Sequence, residues 1–138
     1  MEKKHFLDYF FYPDTIAVVG ASKNPGKAGY QVLKNLTQLG YTGKVYPINP
    51  KEESINDLKC YASIKDIEEK LDLVVITVPA KHVNPVVQEA ADRGDVKAIV
   101  VVSAGFAETK TPEGYALEKE LLEIAGKAGI RLFGPNCT

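Results

Sequence analysis

Three glycines spaced along Gly20-Ala21-Ser22-Lys23-Asn24-Pro25-Gly26-Lys27-Ala28-Gly29 are the residues of this chain whose types and spacing suit chemistry. They follow Thr15-Ile16-Ala17-Val18-Val19, an apolar and β-branched run that reads as a strand buried on both faces. An apolar-periodic run that reads as a helix comes after them. Strand, glycine turn and helix together cradle an anion, because backbone N–H groups and the positive end of the helix dipole converge there. Glycine is required wherever a Cβ would hold the backbone away from a phosphate. The spacing matches neither standard phosphate loop. Ser22 stands at the second glycine of G-x-G-x-x-G, while Gly20 to Gly26 is one residue too long for G-x-x-x-x-G-K-[ST] and Ala28 replaces its hydroxyl. A tight strand-to-helix turn with no ligand is the competing reading. Its place at the first turn of a parallel sheet favours a ligand.

Such a turn needs a sheet around it, and the rest of the chain supplies the elements. Phe6, Leu7, Phe10 and Phe11 predict a short amphipathic helix within residues 1–12, broken by Pro13-Asp14. Val32, Leu33, Leu36 and Leu39 mark the helix after the glycine turn, which stops at Gly40. Lys44 to Ile48 predicts the second strand, and a very short strand is expected around Lys59 to Tyr61. Ser63 is expected to cap a helix running to about Lys70, with Asp66 in its first turn. Leu73 to Val78 predicts a buried strand, and Asn84 is expected to cap a helix that begins at Pro85 and closes at Gly94. Ala98 to Val102 is the next strand. Thr111-Pro112 opens a long helix with Leu117, Leu121, Leu122, Ile124 and Ala125 inward, ending near Gly129, and Ile130 to Phe133 is the last strand.

Strands alternating with helices imply right-handed crossovers and an α/β fold, a Rossmann-like, doubly wound and mostly parallel sheet with helices on both faces. The 138 residues make one domain, with 45% hydrophobic and 25% charged residues, as in a soluble globular protein. Seventeen basic residues against eighteen acidic ones give a net charge of −1, which argues against nucleic acid as a partner through the overall field. No apolar run reaches the length of a membrane span and the start is not a signal peptide. Two cysteines without a CxxC, and two histidines, make neither a disulfide framework nor a metal site, and the expected location is cytoplasmic.

Ligands of such sheets bind at the carboxyl ends of the strands. Those ends read Gly20-Ala21-Ser22, Asn49-Pro50-Lys51, Val78-Pro79-Ala80, Ser103-Ala104-Gly105-Phe106 and Gly134-Pro135-Asn136-Cys137, with no carboxylate among them. A site for NAD wants Asp or Glu after the second strand; Lys51 stands there instead and suits a phosphorylated ribose, as in NADP or coenzyme A. Taken alone, Lys51 reads as a solvated loop lysine.

Taken together, Ile16-Ala17-Val18-Val19-Gly20-Ala21-Ser22, Val45-Tyr46-Pro47-Ile48-Asn49-Pro50 and the three later strand ends resemble the CoA-binding domain of the NDP-forming acyl-CoA synthetases. That family includes the ADP-forming acetate–CoA ligases and is related to the α subunit of succinyl-CoA synthetase. The resemblance covers almost the whole chain, in the family's order. It implies coenzyme A as cofactor, held by Gly20, Ala21, Ser22, Gly26, Lys27, Gly29, Asn49, Lys51, Val78, Pro79, Ala80, Ser103, Ala104, Gly105, Asn136 and Cys137. The implied reaction of the full enzyme converts acyl-CoA, phosphate and a nucleoside diphosphate to acid, CoA and a nucleoside triphosphate. Phosphate travels on a histidine of a later domain, which neither His5 nor His82 matches, so no catalytic residue is expected here. The resemblance makes residues 1–138 a fragment of a longer ligase, with the remaining ligase domains or a nucleotide-binding subunit as partners and neither nucleic acid nor membrane. His82 reads as a solvent-facing loop residue near the ligand edge, and Cys137 as a small packing residue near the thiol end. Two other readings stay open: a stand-alone CoA-binding regulatory module, and an NADP-binding oxidoreductase domain, which Ser22 opposes.

Overall fold

The computed structural model of the chain describes residues 8–38 and 40–135. The expectations placed on His5, Phe6, Leu7, Leu39, Asn136 and Cys137, and on the side chain of Phe11, lie outside the described residues. The elements run in the order α1 (Asp8–Phe11), β1 (Thr15–Val19), α2 (Ala28–Gln38), β2 (Lys44–Ile48), β3 (Ser54–Ile55), β4 (Leu58–Lys59) and β5 (Leu73–Ile76). Then come α3 (Val83–Arg93), β6 (Ala98–Val101), α4 (Pro112–Ala128) and β7 (Arg131–Phe133).

Five strands form one parallel sheet in the order β2-β1-β5-β6-β7. Side chains alternate across it. Ala17, Val19, Val74, Ile76, Ile99 and Val101 join Val83, Val87 and Ala90 of α3 and Leu121 and Ala125 of α4 in one buried cluster. Ile16, Val18, Leu73, Val75 and Ala98 join Leu33 of α2 in the other, with Phe10 of α1 packed against it. Burial on both faces is why these strands read as unbroken apolar runs. The chain leaves β1 to one side through α2 and returns to its other side at β5. That reversal opens a crevice at the carboxyl ends of β1 and β5, the place where doubly wound sheets of this strand order bind ligands.

Helix ends follow the sequence where a cap chemistry decides them. Thr111 accepts the Gly114 N–H, Pro112 takes the first position of α4, and Gly129 ends it with φ +70°. Gly94 closes α3 with φ +82°, its N–H donating to the Ala90 carbonyl.

Four expectations are corrected. Ser63 does accept the Lys65 N–H, but the turn it starts is a 3-10 helix of Ile64–Asp66 that stops at Ile67. The helix to Lys70 does not form: Ile64 O takes the Ile67 N–H of the 3-10 turn together with the Arg93 guanidinium, and the Ile67 and Glu69 carbonyls also accept from Arg93, at 2.7, 2.7 and 2.8 Å in turn. Asn84 is not a cap. A 3-10 turn, Ala80–His82, runs directly into α3, leaving Asn84 inside it with Nδ2 donating 3.0 Å to Leu117 O on α4. The short strand at Lys59–Tyr61 is instead a hairpin of β3 and β4 around Asn56 and Asp57, both at positive φ as a two-residue turn of this kind requires. Only Tyr61 reaches the main sheet, bridging Ile48 at the edge of β2. Leu122 faces out at 55% exposure, since Leu121 and Ala125 set the buried stripe of α4.

Candidate functional site

The glycine turn is held open by its own polar side chains. Ser22 Oγ accepts the Asn24 N–H at 3.0 Å, and Asn24 Oδ1 accepts the Gly26 N–H at 2.9 Å. Lys27 follows, immediately before the first residue of α2, whose first turn carries no acidic residue. Gly20 takes φ +90°, and a Cβ there would run into the Thr77 hydroxyl. Gly29, buried as the second residue of α2, lets the helix ride directly on the Gly20 carbonyl and the Ala21 Cα; a Cβ would collide with that backbone.

From this turn a cleft of about 530 Å³ extends along the carboxyl ends of β1, β2 and β5. Gly20, Ala21, Ser22, Lys27, Asn49, Lys51, Val78 and Pro79 line it, so half of the residues singled out in the sequence converge on one surface. Asn49 works as a strut here: Nδ2 donates 2.9 Å to Ala21 O and Oδ1 accepts the Lys51 N–H at 2.8 Å, tying the β2 end to the glycine turn. The same surface carries residues that reading strand ends did not find, namely Ala62, Ser63, Ile64, Thr77, Val86 and Glu89. Thr77 sits at the end of β5 with its N–H and Oγ1 both donating to the Val19 carbonyl, at 2.9 and 2.8 Å. Ser63 and Glu89 come from the connection after β4 and from α3, which strand-end logic passes over. The available signal was the α3 repeat, in which Val83, Val87 and Ala90 face the core and leave Glu89 beside it.

The cleft thus has two electrically different walls. Lys27 and Lys51 stand on the turn side and Glu89 on the α3 side. Beyond the rim, Lys23 pairs with Glu52 at 2.9 Å.

Other predicted residues lie elsewhere. Gly26 and Gly29 shape the turn without lining the cleft, and Ala80 opens the 3-10 turn before α3. Ser103 Oγ is committed to the Val78 carbonyl, clamping the loop after β6 to the end of β5. In that loop the Gly105 N–H donates to the Glu108 carboxylate at 3.0 Å and the Phe106 N–H at 2.8 Å. The Gly105 and Phe106 amides are therefore already held by the chain's own Glu108. His82 is exposed and does not line the cleft. Burial, reinforced by Glu52, pushes the Cys60 thiol up, so it packs as a neutral group.

The floor under Ser63 and Ile64 is positioned by Arg93. Besides the three carbonyls, its guanidinium grips Asp95 at 3.0 and 2.8 Å, and Asp95 Oδ2 accepts the Leu71 N–H at 3.0 Å. Burial alone would raise the Asp95 carboxyl, but the bonds from Arg93 and Leu71 outweigh it and hold it below the usual carboxylate range. Among the described residues no group of His, Cys, Asp and Glu could hold a metal ion, and no helix is long and apolar enough to cross a membrane.

Comparison with known proteins identifies the family. The chain is 50% identical over 131 residues to the alpha subunit of the ADP-forming acetate–CoA ligase II of Pyrococcus furiosus, covering 95% of this chain and 28% of that subunit. It is 47% identical over 144 residues to the ADP-forming acetate–CoA ligase II of Archaeoglobus fulgidus, covering 99% of this chain and 21% of that enzyme. The chain therefore spans less than a third of the length of these curated relatives. Among solved structures, the dinucleotide forming acetyl-coenzyme A synthetase 1 of Ca. Korarchaeum cryptofilum, in complex with phosphate and ADP, superposes with a TM-score of 0.88 at 45% identity, over 94% of this chain and 27% of that one. The family profile described as the CoA binding domain matches residues 14–138. Fold and sequence agree, and the chain belongs to the CoA-binding domain family found in ADP-forming acetate–CoA ligases.

Proposed function

We propose that residues 1–138 are the coenzyme A-holding domain of a longer acid–CoA ligase that forms a nucleoside triphosphate. The observation that carries this reading is the cleft at the β1–β5 reversal, which the glycine turn, Lys27 and Lys51 all line. The pyrophosphate of coenzyme A lies against the glycine turn, where amides and the start of α2 offer positive potential. Lys51 meets the 3′-phosphate on the ribose, and the acyl-bearing arm leads toward the loops after β5 and β6. Phosphoryl transfer belongs to further domains or a second subunit, and a cytoplasmic location goes with this reading.

Coenzyme A and dephospho-CoA differ by the one phosphate assigned to Lys51. A charge-assisted hydrogen bond there contributes roughly 1.5–3 kcal/mol, or ten- to hundredfold in affinity. Calorimetric titration of the chain is expected to show Lys51→Ala weakening coenzyme A by about tenfold or more while barely affecting dephospho-CoA. Raised salt should narrow the difference in the wild type. Equal binding of both ligands by the wild type removes Lys51 from the site, and preference for NADPH in a parallel titration removes the ligase reading.

A second expectation concerns turnover. His82, the one described histidine, is exposed and outside the cleft, so no described histidine is placed there to carry a phosphoryl group. The pure chain, incubated with acetyl-CoA, ADP and phosphate, is expected to yield no ATP; luciferase detection of ATP above the no-protein blank would contradict the reading.

A further inference from the structure

Glu89 is the only carboxylate lining the cleft among the described residues, and it faces a cleft whose opposite wall carries two lysines. Among the described residues no ion pair neutralises its charge. Among the described residues its hydrogen-bond partner is Ser63, whose Oγ lies 3.3 and 3.1 Å from the two carboxylate oxygens. The hydroxyl has a single proton to give, and it also accepts the Lys65 N–H at 3.1 Å, which fixes its direction. An ionised carboxylate offers about four acceptor sites. Most of that capacity is therefore left for a donor arriving in the cleft.

Resting on the coenzyme A reading above, the geometry points to Glu89 as the residue that selects the base, accepting a hydrogen bond from the exocyclic amine of adenine. Three observations narrow the donor to that group. With the pyrophosphate at the glycine turn and the ribose phosphate at Lys51, the nucleoside end lies on the β2 and α3 side, where Ile64, Val78 and Val86 offer apolar surface to a flat ring. The anionic parts of the ligand are repelled from Glu89 and attracted to the lysine wall, so the orientation is set by charge. A partly buried acceptor aimed at the edge of a base rejects an analogue that presents an acceptor there, because both groups then go unpaired.

Hypoxanthine is that analogue, carrying a carbonyl where adenine carries the amine. Calorimetric titration of the chain with coenzyme A and with its deaminated, hypoxanthine-containing counterpart should give at least tenfold tighter binding of coenzyme A. Glu89→Gln is expected to lower that ratio to one or below. Ser63 donates to the new amide oxygen and turns the amide NH2 into the cleft, where it meets the hypoxanthine carbonyl. If Glu89 merely braces Ser63, the substitution weakens both ligands alike and the ratio stays put, which overturns the assignment while leaving the coenzyme A reading intact. Failure of the wild type to bind coenzyme A at all overturns both.

Discussion

Gly29→Leu is expected to abolish coenzyme A binding in a chain whose sheet still folds. The collision is with backbone, not with a side chain that can swing aside: a Cβ on Gly29 meets the Gly20 carbonyl and the Ala21 Cα. Helix α2 must therefore lift off the turn, carrying Lys27 and the first helical amides away from the Gly20–Ser22 edge of the cleft. Overpacking of this kind costs about 1–3 kcal/mol in stability. The loss in affinity should be on the order of 100-fold or more, equivalent to about 2.8 kcal/mol. Gly29→Ala already places the offending atom and should produce most of both effects. Thermal melts and titrations of the two variants measure them, and a folded Gly29→Leu chain with wild-type affinity would show that the turn serves packing alone.

The largest loss of stability is expected from Arg93→Met. Its guanidinium is only 11% exposed at the side chain and serves Ile64 O, Ile67 O, Glu69 O and both oxygens of Asp95. Removing it takes the side-chain donor from three carbonyls, leaving Ile64 O its Ile67 N–H, and leaves a partly buried carboxylate with the Leu71 N–H but no counter-charge; breaking such a pair costs about 3–5 kcal/mol. Denaturant titration reads that loss as a lower midpoint at unchanged slope. Arg93→Lys should recover little, since one ammonium cannot reproduce a planar fork with five donors. The paired carboxylate adds a pH signature. With its folded pKa held below the unfolded value, Asp95 contributes stability that is present above the unfolded value and lost as pH falls through the folded one. Asp95→Asn should therefore flatten the acid limb of the stability profile, and a limb of unchanged steepness would place the acid sensitivity elsewhere.

Arg93 also shows where reading the sequence stopped. The five strands were legible to within a residue or two, because each is a short, mostly apolar run followed within three residues by Gly, Pro or Ser, and the limits of α4 were legible because Thr111, Pro112 and Gly129 act locally. The segment from Ser63 to Lys70 carries an N-cap and helix-compatible residues, so local rules predict a helix. What prevents it is a side chain 23 residues beyond Lys70, whose hydrogen bonds no local pattern reveals. Asn84 failed as a cap for a related reason, since its partner carbonyl at Leu117 belongs to another helix. The site divides along the same line. Gly20, Ser22, Lys27, Asn49 and Lys51 were legible from their places at strand ends, whereas Ser63 and Glu89 reach the cleft from a connection and a helix face that only the packing brings there.

An interior place in the sheet has a consequence for the newborn chain. β1 is made before the other strands of this sheet, yet one of its two neighbours is β5, and Thr77, which closes their junction, lies 58 residues after Val19. At about 5–20 residues per second, Thr15–Val19 waits roughly 3–12 s with one hydrogen-bonding edge bare. For that interval a strand with four of its five residues buried in the mature domain is a sticky apolar ribbon, and translation speed across residues 20–77 becomes a determinant of yield.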